Sequence, residues 1–258
     1  MSNIIKTPST GNKAPKIELY GFSSKVPGVP DPSAFVVKLE TALRLAGIGY
    51  ERRDMPNPAK APKGKLPFIV ADGEKVGDST LIMKWLKARR GVDLDWHLTP
   101  LERARSHALQ RMLEERLYWA IVYTRWCEKE NEWLEKEIFF GDVPAPIRFF
   151  VYRAVLKQMK TALHHHGLGR HTREEIYAFG AEDLAALAAE LGDKPYLFGE
   201  RPSLADASAF GILVNIIGIP QIKSPLIDAM RTHDNLIAYT DRMLELFTIQ
   251  APALQKAA

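Results

Sequence analysis

The chain has 258 residues, 46% apolar and 26% charged, an ordinary soluble composition with room for one large or two modest domains. Its net charge of +4 is spread over interleaved bases and acids along most of the chain, as in Glu114-Glu115-Arg116 and Glu128-Lys129-Glu130, so a nucleic-acid partner is not expected and Arg52-Arg53 and Arg89-Arg90 read as solvated faces. The single cysteine, Cys127, excludes an intramolecular disulfide, a CxxC redox pair and a cysteine-based zinc cluster.

Residues 1 to 15 read as a flexible lead-in without the apolar core of a signal peptide, and no apolar run reaches membrane length, which points to a cytoplasmic protein with no membrane partner. Lys16 to Phe22 reads as a strand, and the proline-rich SSKVPGVPDP that follows as a loop. Ser33 stands ahead of a helix in which Phe35, Leu39, Ala42, Leu43 and Ala46 keep helical spacing, closed by Gly47. Tyr50 to Met55 reads as a second strand, after which the prolines of PNPAKAPKGK forbid a proper helix. Leu66 to Ala71, the Asp72-Gly73 turn and Glu74 to Gly77 then predict a hairpin, followed by a helix from Ser79. These elements form a thioredoxin-like α/β domain over residues 16 to 90.

A linker over 91 to 98 leads to an all-α domain over 99 to 258. Thr99-Pro100-Leu101-Glu102 is a capping box opening a helical stretch to about Phe140. A break over 141 to 146 precedes a helix from Ile147 to His165, and Thr172 to Glu175 caps the next. Ser203 to Asp206 opens an apolar, buried helix, and a last helix runs from about Leu226 or Asn235 to Phe247.

Lys63 to Leu86 organises the rest. Pro67 cannot donate to a sheet ladder and is the natural place for a cis bond, which exposes the Leu66 N–H and C=O to an incoming extended peptide. Asp78-Ser79 sits where a helix N-terminus favours a carboxylate. GKLPF followed by DST at a helix head resembles the glutathione site of the glutathione transferase superfamily. KLETALRLAG, PKGKLPFI and YLFGERPSLADASAFG more narrowly resemble its branch of failed-axon-connections proteins and metaxins.

That resemblance implies that Leu66 and Pro67 pair with the cysteinyl backbone of glutathione as co-substrate, and that Asp78 and Ser79 hold its γ-glutamyl end. It also implies a homodimer and a small apolar electrophile. Ser33 has two open roles, helix N-cap or stabiliser of the glutathione thiolate; in the family a proline often follows the thiol-contacting residue, whereas here Ser33-Ala34-Phe35 lacks it. Tyr20, at the end of the first strand, is a second hydroxyl candidate. The proline-rich segment departs from the family's helix at that place, leaving Lys63 or, better, Lys65 beside LPF to meet the glycine carboxylate. Trp119 and Tyr123 are candidates for the electrophile pocket, against the alternative that they are bundle core. Glu114-Glu115 reads as a polar helix face, Cys127 as a packed small hydrophobe, and His164, His165, His166 and His171 as helix-end residues rather than metal ligands. The alternative function is a non-catalytic interaction or glutathione-carrier protein.

Overall fold

The computed structural model of the protein describes residues 16–23 and 26–248; the expected lead-in over 1 to 15 lies outside them. The elements in order are β1 (Ile17–Gly21), α1 (Ala34–Leu45), β2 (Tyr50–Asp54), β3 (Phe68–Ala71), β4 (Glu74–Gly77), α2 (Ser79–Arg90), α3 (Pro100–Met112), α4 (Tyr118–Trp126), α5 (Glu132–Phe140), α6 (Ala145–His166), α7 (Arg173–Leu191), α8 (Leu204–Ile217), α9 (Pro225–Arg231) and α10 (Asp234–Thr248). The sheet order is β2-β1-β3-β4, with β1–β2 parallel and the other two pairs antiparallel. The α1 crossover is what makes β1 and β2 parallel.

This is the expected thioredoxin-like unit followed by helices. The proline-rich segment holds a single 3₁₀ turn, Pro58–Lys60, as three prolines without donors require. The capping boxes at Thr99, Thr172 and Ser203 all form.

Two expectations are corrected and one open alternative is decided. The helical stretch from Thr99 does not run unbroken to Phe140: α4 stops at Trp126, Cys127 caps it, and a 3₁₀ turn over Lys129–Asn131 precedes α5. Asn131 stabilises that break by donating to Thr124 O at 2.9 Å and Lys223 O at 3.3 Å. Of the two starts left open for the last helix, Asn235 matches α10, and the stretch at Leu226 belongs to the short α9, capped by Ser224 through the Ile227 N–H. Glu114 is not on a polar face. It lies in a π turn, Leu113–Leu117, between α3 and α4, only 5% exposed. There it accepts from Lys38 at 2.6 Å, Ser208 Oγ at 2.9 Å and Arg111 at 2.6 Å. Partners from α1 and α8 thus satisfy a carboxylate that burial alone penalises.

Two apolar cores flank α1. Val36, Leu39 and Leu43 face the sheet and α2, while Ala34 and Val37 join the helical core around α8. Contact with α8 is close: a Cβ at Gly211 would strike the Ala34 carbonyl, so only glycine permits this approach.

Candidate functional site

The site follows from the sheet's connectivity. Because β1 is antiparallel to β3 and β3 to β4, the C-terminal ends of β1 and β4 and the N-terminal end of β3 share one end of the sheet. There the chain leaves β1 towards the N-terminus of α1, enters β3 through Leu66-Pro67 and leaves β4 into α2. The topology therefore brings Ser33, Leu66, Pro67, Asp78 and Ser79 to one edge.

The Leu66-Pro67 bond is cis. Leu66 makes no backbone hydrogen bond among the described residues, whereas the Asp78 N–H donates to Pro67 O at 3.3 Å, tying the two halves of the edge together. Asp78 is held at φ 84° and ψ 124°, an uncommon state for a residue with a Cβ. Its Oδ1 accepts from the Thr80 and Leu81 N–H groups at 2.9 and 3.0 Å, satisfying two of the free donors of α2. Ser79 beside it is buried at 4% exposure.

Ser33 occupies the N-cap position of α1, but its side chain makes no capping bond. Its backbone is fixed instead from below. The Ser33 N–H donates to Asp31 Oδ1 at 2.7 Å, and the buried Asp31 carboxylate is ion-paired with Arg52, which also donates to Glu40 Oε2 at 2.7 Å. Arg125 of α4 donates to Pro32 O at 2.7 Å and to Asn215 Oδ1 of α8 at 2.9 Å, and Asn215 donates to Asp31 O at 3.2 Å. Burial pushes the Asp31 carboxyl up to about 7, with the Arg52 charge and the Ser33 N–H opposing it. Arginine and asparagine on three elements thus hold a three-residue loop in one conformation and leave the Ser33 hydroxyl uncommitted to the helix.

Tyr20 lies elsewhere. A Cβ on Gly21 would meet Val36 Cγ1 of α1 at 2.6 Å, so Ile17, Leu19 and Gly21 form the face of β1 towards α1 and Tyr20 points to the opposite one. There it stacks on Phe68 at 4.2 Å and donates to Glu18 Oε2 at 3.1 Å; burial and that bond push its phenol up. Lys65 is exposed and forms no ion pair among the described residues, while the Lys63 stem packs 3.6 Å from the Cβ position of Gly77, next to Asp78. Of the aromatic stripe, Trp119 stacks on His166 at 4.5 Å and Tyr123 meets Tyr177 edge-on at 5.9 Å, towards α6 and α7. Tyr118 is the member that meets α1, through Phe35 at 4.8 Å. Among the described residues no cluster of three or more His, Cys, Asp or Glu has a metal-binding arrangement, and no helix is long and apolar enough to cross a membrane.

Asp31, Arg125 and Asn215 were not singled out from the sequence, and Arg52, read there as part of a solvated face, is instead drawn inward by the buried carboxylates of Asp31 and Glu40. The one local signal was Asp31-Pro32-Ser33, an aspartate two residues before a helix start, which is the spacing of an Asx turn.

A thioredoxin-like unit with a cis-proline before its third strand, joined to a helical bundle through its first helix, defines the glutathione-transferase class of fold. Residues 34–131 match the Glutathione S-transferase N-terminal domain and 180–243 the Glutathione S-transferase C-terminal domain. The chain is 33% identical over 243 residues to the isoprene-epoxide glutathione S-transferase of a Rhodococcus strain, covering 90% of this chain and 100% of that protein. It is 35% identical over 238 residues to Failed axon connections of Drosophila melanogaster, covering 88% of this chain and 57% of that one. Human Metaxin-1 is 25% identical, with 92% and 52% covered. The chain thus spans little more than half the length of these last two relatives. It belongs to the glutathione transferase superfamily, and within it is similar to failed-axon-connections proteins and metaxins. A glutathione S-transferase of Ceriporiopsis subvermispora in complex with glutathione superposes with a TM-score of 0.63 at 16% identity, covering 91% of this chain and 98% of that one. The β-etherase LigF of Sphingobium gives 0.61 at 20%, with 90% and 99% covered. These two likenesses speak for the fold.

Proposed function

We propose that the chain binds glutathione along the Leu66-Pro67 edge and transfers its thiolate to a small apolar electrophile. The observation that carries this reading is the gathering, at one end of the sheet, of an unpaired Leu66 backbone, the capped N-terminus of α2 and an uncommitted Ser33 hydroxyl. The cysteinyl unit of glutathione pairs with Leu66 as an added strand. Its γ-glutamyl end is held by Asp78 and Ser79 at the head of α2, and Lys63 or Lys65 meets the glycine carboxylate. Strained backbone at Asp78 supports the same place, since such strain collects at ligand sites.

Ser33 stabilises the thiolate. A thiol of pKa ~8.5 is about 3% ionised at neutral pH, and lowering it by about two units takes roughly 2.7 kcal/mol of preferential stabilisation. A hydroxyl bond together with the N-terminus of α1 is of that order. A small epoxide, the substrate class in the name of the Rhodococcus relative, is the first electrophile to test.

In the test, the chain is retained on immobilised glutathione and its unfolding temperature rises with millimolar glutathione. Ser33→Ala keeps that retention and loses about 30–100-fold in conjugation rate near neutral pH, the rate regaining ground as pH rises and the thiol ionises unaided. Absence of both retention and thermal shift overturns the reading. A second reading, a glutathione carrier or interaction module, is favoured by the single 3₁₀ turn where the family's helix is expected; retention without turnover supports it.

A further inference from the structure

The α5–α6 hairpin has no role in the site described above. Its surface is unlike the rest of the molecule. From Val143 to Arg173 the sequence holds no aspartate or glutamate, but includes Arg148, Arg153, Lys157 and Lys160 within α6 alone. Of the 22 residues of α6, only Tyr152 and Leu163 are buried. Ile147, Phe149 and Phe150 are 56%, 54% and 72% exposed.

These residues are ordered along the helix. Ile147, Phe150, Ala154, Lys157 and Thr161 fall at successive three- and four-residue steps, and Phe149, Arg153, Leu156, Lys160 and His164 form the adjacent row. The two rows make one face about 26 Å long, apolar at its N-terminal end and cationic through the middle. Its open groove against α5 is lined by Phe149, Arg153, Lys157 and Lys160. Arg153 lies over the Phe149 ring at 5.4 Å. Arg153, Lys157 and Lys160 form no ion pair among the described residues, and the lining carboxylate, Glu132, is already bonded to Lys136 at 2.8 Å. Elsewhere on the hairpin Glu137 and Asp142 are the exposed acids.

We infer that this face of α6 docks on an anionic lipid surface, Ile147 and Phe150 entering the acyl boundary and Arg153, Lys157 and Lys160 meeting the headgroups. A membrane interface satisfies both chemistries at once. A nucleic acid neutralises the cations but has no partner for Ile147. A second copy packed face to face across a two-fold sets like charges against each other. Four cations on the helix keep it on the surface rather than across the bilayer. Such docking departs from the expectation of no membrane partner, which rested on the lack of a spanning segment.

The test is co-sedimentation of the whole chain with phosphatidylcholine vesicles, with and without about 30 mol% phosphatidylserine. Binding is expected only with phosphatidylserine, weakening at least fivefold between about 0.05 and 0.3 M salt as charges are screened. The triple change Arg153→Gln, Lys157→Gln, Lys160→Gln lowers binding about tenfold or more, and Phe150→Ser lowers it severalfold even at low salt. Both variants keep the wild-type circular dichroism spectrum and retention on glutathione resin. Equal binding to neutral vesicles, or variants that bind as the parent does, overturns the inference. So does a DNA oligonucleotide bound as tightly and indifferent to Phe150→Ser, since it shows a general polyanion patch. Dissociation of a solution dimer by the same changes overturns it in favour of a contact between copies.

Discussion

Two helices of this chain met opposite fates. In α8, 12 of 14 residues are buried; in α6, 2 of 22 are. Both carry bulky apolar side chains, but α8 has only three polar residues among its 14, whereas α6 has four Arg or Lys among its 22. Every polar group on α8 has a partner waiting: Asp206 accepts from the Leu197 and Ser203 N–H groups at 2.9 and 2.7 Å, Ser208 donates to Glu114, and Asn215 donates to Asp31 O. On α6, Lys157 and Lys160 form no hydrogen bond or close ion pair among the described residues, and a buried unpaired ammonium is far too costly to allow the helix inward. Polar satisfaction draws the line between the axle of the molecule and its outlying hairpin.

The largest effect that tests this contrast comes from α8. Replacing Asp206→Ala strands the Leu197 and Ser203 donors and leaves the Tyr239 hydroxyl, now 3.1 Å from both Asp206 Oδ1 and Asp206 O, with the backbone carbonyl alone. We expect a loss of about 3–5 kcal/mol in urea unfolding; a loss under about 1 kcal/mol refutes the idea that paired polar groups keep α8 inside.

A middle-sized effect lies at the root of the hairpin. Glu135 of α5 is fully buried, with neither oxygen hydrogen-bonded and Arg125 Nε 3.9 Å away. Burial pushes its carboxyl up to about 7 from 4.5, against the Arg125 charge. Between those values the native state holds a proton that the unfolded chain has released, so this contribution to stability is complete at low pH and is lost as pH rises through about 7. Glu135→Gln, neutral throughout, flattens the decline in unfolding free energy between about pH 5 and pH 8 by about 2 kcal/mol. An unchanged slope sinks the assignment. At the small end, Phe150→Ser changes stability by no more than about 0.5 kcal/mol, whatever it does to vesicle binding; a larger loss makes Phe150 part of the core and dissolves the contrast.

Local signals made much of this molecule legible in advance. The Asp72-Gly73 turn, the Thr99, Thr172 and Ser203 caps, and the LPF–DST pair each lie within a few residues of what they specify. The support for Ser33 was not legible, because its bonds join residues 21, 93 and 184 positions apart. Glu114 misled for the same reason, its buried partner Lys38 lying 76 positions away. The break after Trp126 carries neither proline nor glycine and is fixed by Asn131 reaching Lys223.

The π turn at Leu113–Leu117 has a wider meaning. A wide turn is one surplus residue threaded into a rod, and everything beyond it leaves the axis at a different azimuth. Here the azimuth aims Tyr118 at Phe35 and Arg125 at Pro32. Without that surplus residue the same aromatic string would turn a neighbouring ring towards α1, so the bend decides which ring meets Phe35.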